Sequence, residues 1–423
     1  MQPSIKRPLS GLFGARTASA LALALAAATV NAGELESLTR IGASAGDEFG
    51  YASVSDGNLV IVSAPGEADH AGAVYVFDCS TAPCLQQQRL TPPVPAAKAE
   101  FGTALALSAN TLAVGAPGQG AGAVYVFTRP ASGVWNLQAS LSTAGAQPGD
   151  RFGASVALAG DTLLAGAEGD DQGRGSAYAF NRSGEIWALP SQLLAADLSA
   201  GDAFGAAVAL DANHALIGAP LEGETGAGAV FARGAAYLFE RVSASSWAAP
   251  VKLLATAPAA GDAFGFSVSL NNGLALVGAP FARAEAGMIS VFTDIGVGWA
   301  ATAELGSAST PAGARLGWSL SLGSTELLGG APFAAATPGA NCGTVARFSR
   351  DPPLWTEQPP LWISNPRPGD LSGWSVVTQA PRYAVGRPGF INSGPQHQGV
   401  LAWFDFAELM FADDYEIPDP LCR

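Results

Sequence analysis

The chain has 423 residues, 52 of them glycine, with only 13% charged and a formal net charge of −14. This lean, turn-rich composition points to β structure rather than to a disordered chain. The acidic balance argues against nucleic acid or an anionic membrane as a partner, because phosphate binding needs a basic face. Three histidines and three methionines leave little material for metal or redox chemistry.

Residues 1–32 read as a secretory signal peptide. Lys6, Arg7 and Arg16 precede the apolar run Thr17–Val30, and Val30-Asn31-Ala32 supplies small residues for cleavage after Ala32. The run falls short of the roughly 20 residues that span a bilayer, and no second run of that length follows. The expectation is an exported monomer without membrane insertion, either secreted, periplasmic or held at the cell surface. Cleavage removes three of the 21 basic residues and none of the 35 acidic ones, which takes the formal charge to −17. No cysteine precedes Cys79, so a lipid-modified cysteine at the cleavage site is ruled out.

A seven-fold repeat fills residues 33–406. Its clearest copy is Gly261 to Pro280, GDAFGFSVSLNNGLALVGAP. The glycine of the Phe-Gly pair, or of its degenerate form, falls at Gly50, Gly102, Gly153, Gly205, Gly265, Gly317 and Gly373. A Gly-Ala-Pro element, or a variant of it, begins 13 residues later in every copy: Ser63, Gly115, Gly166, Gly218, Gly278, Gly330 and Gly386. One spacing kept through seven copies marks a repeat architecture.

Within a copy, FSVSL and LALVGA alternate at period two, the pattern of strands with one buried face. Only two to four turn residues separate them, which calls for an antiparallel hairpin. The position two after the Phe-Gly glycine is always Ala or Ser, so neighbouring backbones can crowd together there. Segments such as GAVYVF at 72–77 supply a third strand, and weaker segments such as WNLQASL from Trp135 supply a fourth. Four strands per copy, with 51 to 60 residues between starts, predict an all-β, seven-bladed β-propeller rather than a superhelical solenoid. Leu35–Ile41 matches the fourth-strand pattern, while the last copy runs out after Trp403–Phe406. The N-terminal segment is therefore expected to complete blade 7.

Phe-Gly followed by Gly-Ala-Pro resembles the FG-GAP repeat of the integrin α-subunit propeller, and more closely a bacterial secreted variant with the core GDxFGxSVAL…GAP…GAAYVF. The resemblance covers roughly residues 35 to 406. Departures are Ser63 in blade 1, Glu168 in blade 3, and Ser372 and Arg387 in blade 7. The resemblance implies a ligand face that bears the Gly-Ala-Pro loops. It also raises calcium, but integrin-type sites use an Asp-rich loop of about nine residues between the first two strands, because hard cations need six or more oxygens. That loop carries at most one carboxylate here, so no cofactor is expected, and Asp56, Asp161 and Asp211 read as turn formers. Glu168, Asp170 and Asp171 form a weaker calcium candidate against a solvated-loop reading.

Other polar residues carry structural readings. The Gly-Asp step at Asp47, Asp150, Asp202, Asp262 and Asp370 is expected to bind following backbone amides and hold the turn into the inner strand. Of the histidines, His214 is expected in a solvated turn. His70, with Asp69, and His397 fall on loops that ring closure makes neighbours, with polar surface as the plainer reading. Cys79 and Cys84 bracket one short turn and are expected to form a disulfide. That leaves Cys342 to pin Cys422 in the acidic tail 407–423, or else free thiols or an intermolecular link.

An asymmetry gives the binding candidate. The loops after Gly-Ala-Pro start with Phe281 and Phe333 on blades 5 and 6, with Gly389-Phe390 on blade 7 and with Leu221 on blade 4, where blades 1 to 3 have Gly66, Gly118 and Gly169. The residue after the Phe-Gly glycine is large in the same sector (Phe266, Trp318, Trp374 and Tyr51) but Thr103, Ala154 and Ala206 elsewhere. With Arg283 and Arg387 nearby, this face suits a protein or glycan partner; the plainer reading has the tryptophans filling space between blades. No zinc-helix or Walker-type motif occurs. The expected function is a non-catalytic recognition or adhesion scaffold. The alternatives are a propeller hydrolase or lyase with a channel-mouth site, and a purely structural envelope protein.

Overall fold

A computed structural model describes residues 34–39, 44, 46–131, 133–223, 232–271, 273–335, 340–352, 354–361, 366–379, 382–389, 399–405 and 422. Residues 1–32, read above as a signal peptide, Phe390, His397 and most of the acidic tail lie outside the described residues.

The fold is a ring of seven four-stranded antiparallel blades. Blade 1 sets the pattern with Ser53–Asp56, Leu59–Ala64, Ala73–Asp78 and Leu85–Leu90, paired in that order. In blades 3 and 4 the outer strand breaks in two. Ile186–Trp187 and Ser246–Trp247 extend the far end of the third strand, and Ser191–Leu193 and Val251–Leu253 pair nearer its start. Pro190 and Pro250 stand at the breaks, where a missing N–H interrupts the ladder. In blade 7 the sheet order is Glu34–Leu38, Val400–Asp405, Arg382–Arg387, Ser375–Gln379, so its outermost strand comes from the N-terminal end of the described chain.

The 13-residue offset is a hydrogen-bond register. In every blade the amide of the Phe-Gly glycine donates to the carbonyl of the residue that opens the Gly-Ala-Pro element, from Gly50 to Ser63 at 3.0 Å through Gly373 to Gly386 at 3.1 Å. The small residue two positions on faces the next blade. Ser155, Ser267, Ser319 and Ser375 donate their hydroxyls to the carbonyls of Gly205, Gly317, Gly373 and Gly50. The last of these joins blade 7 to blade 1, as does the backbone bridge between Phe49 and Gly399.

Second strands depart from the expected alternation. Leu59–Ala64, Thr111–Ala116, Thr162–Ala167 and Leu274–Ala279 are buried along their whole length. Blades stack face to face, so both sides of an inner strand are covered and an almost continuous apolar run results. The apolar core is accordingly divided into seven inter-blade clusters. One joins Val74, Val76 and Leu90 of blade 1 to Leu112, Val114 and Tyr125 of blade 2. Another joins Leu38, Leu401 and Trp403 to Val60, Val62 and Tyr75 across the blade 7–blade 1 junction. The Phe-Gly phenylalanines Phe49, Phe101, Phe152, Phe204 and Phe264 are wholly buried, most of them edge-on to aromatic residues of the third strand.

Disulfides join Cys79 to Cys84 and Cys342 to Cys422. The second ties the C-terminal end to the loop that enters the third strand of blade 6. Among the described residues no helix is long and apolar enough to cross a membrane.

Candidate functional site

First strands begin, and second strands end, on the same face of the ring, so the Phe-Gly and Gly-Ala-Pro loops meet around its axis. The residue before each Phe position (Glu48, Glu100, Arg151, Ala203, Ala263, Arg315 and Leu371) has a left-handed backbone. Such conformations are costly outside glycine and persist only when their surroundings hold them. Here the preceding blade does so: Glu100, Ala203 and Arg315 donate their amides to the carbonyls of His70, Gly173 and Glu285 at 2.7–2.8 Å. Those acceptors end short left-handed turns at Glu67–His70, Asp170–Gly173 and Ala282–Glu285.

The mouth on this face is a cavity of about 430 Å³, lined by Tyr51, Thr103, Ala154, Ala206, Phe266, Trp318 and Trp374, the residues that follow the seven Phe-Gly glycines. The large ones touch in sequence around the ring. Ring centroids are 4.6 Å apart for Phe266–Trp318, 4.9 Å for Trp318–Trp374 and 5.7 Å for Trp374–Tyr51. Phe281 packs edge-on to Phe266 at 6.1 Å, and Phe333 to Trp318 at 5.1 Å. All six rings are half-buried, so the two tryptophans face the mouth rather than disappear between blades. Leu221 is exposed on the mouth's rim.

The cation of this sector is neither arginine singled out from the sequence. Arg283 turns to Glu304 at 3.6 Å, and Arg387 pairs with Asp370 at 3.2 Å. Arg315 instead stacks over both Phe281 and Phe333, at 4.9 and 4.4 Å, and is neutralised by Glu285 at 2.8 Å. The signal for it was its place immediately before the Phe position of blade 6.

The same position supplies a charged wall that the sequence reading missed. Arg151 reaches Glu168 at 3.0 Å and Glu100 at 3.5 Å, and Glu48 lies close enough to Glu100 to feel its charge. Burial first, then Glu100 and Asp47, push the Glu48 carboxyl up to about 7. Tyr51, where the aromatic arc meets this wall, is pushed up to about 12 by burial and then by Glu48 and Glu100.

Several sequence readings change in detail. The Gly-Asp carboxylates accept amides from three residues before them, not after: Gln147 to Asp150 at 2.6 Å, Ser199 to Asp202 at 2.6 Å, Ala259 to Asp262 at 2.8 Å, Arg367 to Asp370 at 2.6 Å, and Ser44 to Asp47. The same turn closes without a carboxylate at Ala99 and Ala314. The blade 3 calcium candidate is drawn apart, with Glu168 on Arg151, Asp170 accepting the Tyr178 hydroxyl and Asp171 on Arg174. His214 is not a solvated turn residue. It opens a strand, lies 3.3 Å from Asp211 and packs edge-on to Trp299. His70 is exposed at the end of its left-handed turn.

A closed seven-bladed ring whose axial mouth is walled by the loops of its repeats defines the class of protein: a propeller that presents a loop face. The FG-GAP repeat model matches residues 33–77, 84–127, 135–180, 187–239 and 247–292, more than half of the sequence. The chain belongs to the FG-GAP repeat family. Blades 6 and 7 fall largely outside the matched spans, where Leu316 and Ser372 replace the phenylalanine. No curated protein matches the chain.

Proposed function

We propose that this propeller is an exported, non-catalytic recognition scaffold whose protein or glycan partner docks at the axial mouth on the Gly-Ala-Pro face. The observation that carries the reading is the half-buried arc Phe266–Trp318–Trp374–Tyr51 around a recess of about 430 Å³. Stacked aromatic residues in a concave site offer large contact area at low entropic cost, the usual make-up of binding hot spots. Export draws support from the two disulfides, which persist in oxidising compartments. The test is a glycan and surface-protein array probed with the mature domain and with its Phe281→Ala, Phe333→Ala and Phe390→Ala variants. Binding that survives all three changes removes the aromatic face as the site.

One observation favours a second reading, a propeller hydrolase. The Glu48 carboxyl, which burial first and then Glu100 push up to about 7, acts on the mouth residue Tyr51, and a carboxyl that keeps its proton near neutral pH suits general acid work. Cleavage of a bound glycan during incubation, abolished by Glu48→Gln, would establish that reading and end the non-catalytic one.

A further inference from the structure

The two walls of the mouth differ in chemistry. On blades 5, 6, 7 and 1 the wall is aromatic; on blade 3 it carries Arg151 and Glu168, with Glu100 of blade 2 at 3.5 Å from Arg151 and Glu48 of blade 1 within reach of the Glu100 charge. The other nearby cation, Arg315, is spent on Glu285 and on the faces of Phe281 and Phe333. Between the walls, Ala154, Ala203, Ala206 and Ala263 leave space that larger side chains would fill.

Each wall restricts the occupant. Rings in contact across four blades need a ligand with an extended, flat, apolar face. A lysine stem is too narrow to cover more than one ring. On the opposite wall Glu100 and Glu168 share the guanidinium of Arg151, so an anionic ligand is repelled and a neutral one gains nothing from the carboxylate left in excess. An ammonium group satisfies that carboxylate and gains from the aromatic faces as well.

We propose that the mouth binds an oligosaccharide of amino sugars, with the CH faces of its rings on Trp318, Trp374 and Tyr51 and its ammonium groups toward Glu100 and Glu168. This rests on the reading of the mouth as the binding site. The Glu48 carboxyl, pushed up by burial first and then by the charges of Glu100 and Asp47, adds a further acidic group to that side of the ring.

The test is calorimetric titration of the mature protein with a β-1,4-linked glucosamine tetramer, its fully N-acetylated counterpart and tetralysine. The glucosamine tetramer is expected to bind roughly tenfold or more tighter than either of the others. Glu100→Gln and Glu168→Gln are each expected to weaken the amine-bearing sugar about threefold or more, without changing the acetylated one. Trp374→Ala should weaken both sugars, with thermal melts confirming that each variant is folded. Equal or tighter binding of the acetylated sugar or of tetralysine overturns the proposal, as does no binding of the glucosamine tetramer. If the tetramer fails while another array ligand is lost on Trp374→Ala, the amino-sugar inference falls and the mouth stands. If no ligand depends on Trp374, both fall.

Discussion

The carbonyl oxygen of Gly50 in blade 1 lies 2.0 Å from the point where a Cβ on Gly386 of blade 7 would stand. The same approach recurs at Gly115–Gly153, Gly166–Gly205, Gly218–Gly265, Gly278–Gly317 and Gly330–Gly373, at 1.9–2.2 Å. The junction that closes the ring is thus built like the junctions inside it, and the first residue of six of the seven Gly-Ala-Pro elements is glycine because the next blade's backbone occupies the space of a side chain. Gly386→Ala is expected to destabilise the fold by about 1–3 kcal/mol or more, through forced separation of two blades. Blade 1 differs: Ser63 stands at this place, and its hydroxyl accepts the Ala52 amide at 2.9 Å. Ser63→Gly should cost only about 1 kcal/mol. Urea denaturation of the two variants checks the contrast.

The N-terminal strand gives a second prediction. Leu38 is 2% exposed and packs with Leu401 and Trp403, while its strand covers the otherwise open edge of Val400–Asp405. Leu38→Ala is expected to cost about 2–5 kcal/mol. Deletion of residues 34–38 should cost more, since it also bares a strand edge prone to pairing with other chains. A thermal melt unchanged by the deletion would refute this role.

Glu48 makes stability depend on pH in an uncommon direction. Its carboxyl titrates near 4.5 when unfolded and about 7 when folded. Between those values the folded state holds the proton and the unfolded state does not, so stability falls as pH rises across that window and levels off above it. Glu48→Gln is expected to flatten this slope and to be more stable than the parent at pH 8. Urea midpoints measured from pH 4.5 to 8 test the sign.

The two disulfides should differ in worth. Cys342–Cys422 spans 80 residues and Cys79–Cys84 only 5. Loop-closure entropy gives roughly 4–5 kcal/mol for the first and roughly 2 kcal/mol for the second. Paired Cys→Ser variants compared by denaturation should keep that order.

The repeat was legible because its physics is local. A fixed offset of 13 residues is one hydrogen bond repeated seven times, and the Phe, Ala/Ser and Gly positions each answer to one crowded spot. The aromatic arc was legible for the same reason, since Phe266, Trp318, Trp374 and Tyr51 occupy one repeat position that the ring brings together. What escaped depends on backbone direction. Glu48, Glu100, Arg151 and Arg315 share a left-handed position that nothing in their types announces; at Glu100 and Arg315 the strain is compensated by an amide hydrogen bond to the preceding blade. Arg283 and Arg387 looked close to the aromatic loops in sequence, but their carboxylate partners draw them off. The length of second strands buried on both faces likewise follows from stacking between blades, which a single copy does not reveal.

The measurement that bears most directly on the mouth as a recognition site is the affinity of the mature domain for its strongest array ligand, taken by calorimetry with Trp374 intact and with Trp374→Ala. The account predicts a loss of roughly 30-fold or more, the scale of a central aromatic anchor, with the melt of the variant preserved. Unchanged affinity in Trp374→Ala and in Trp318→Ala alike would contradict it.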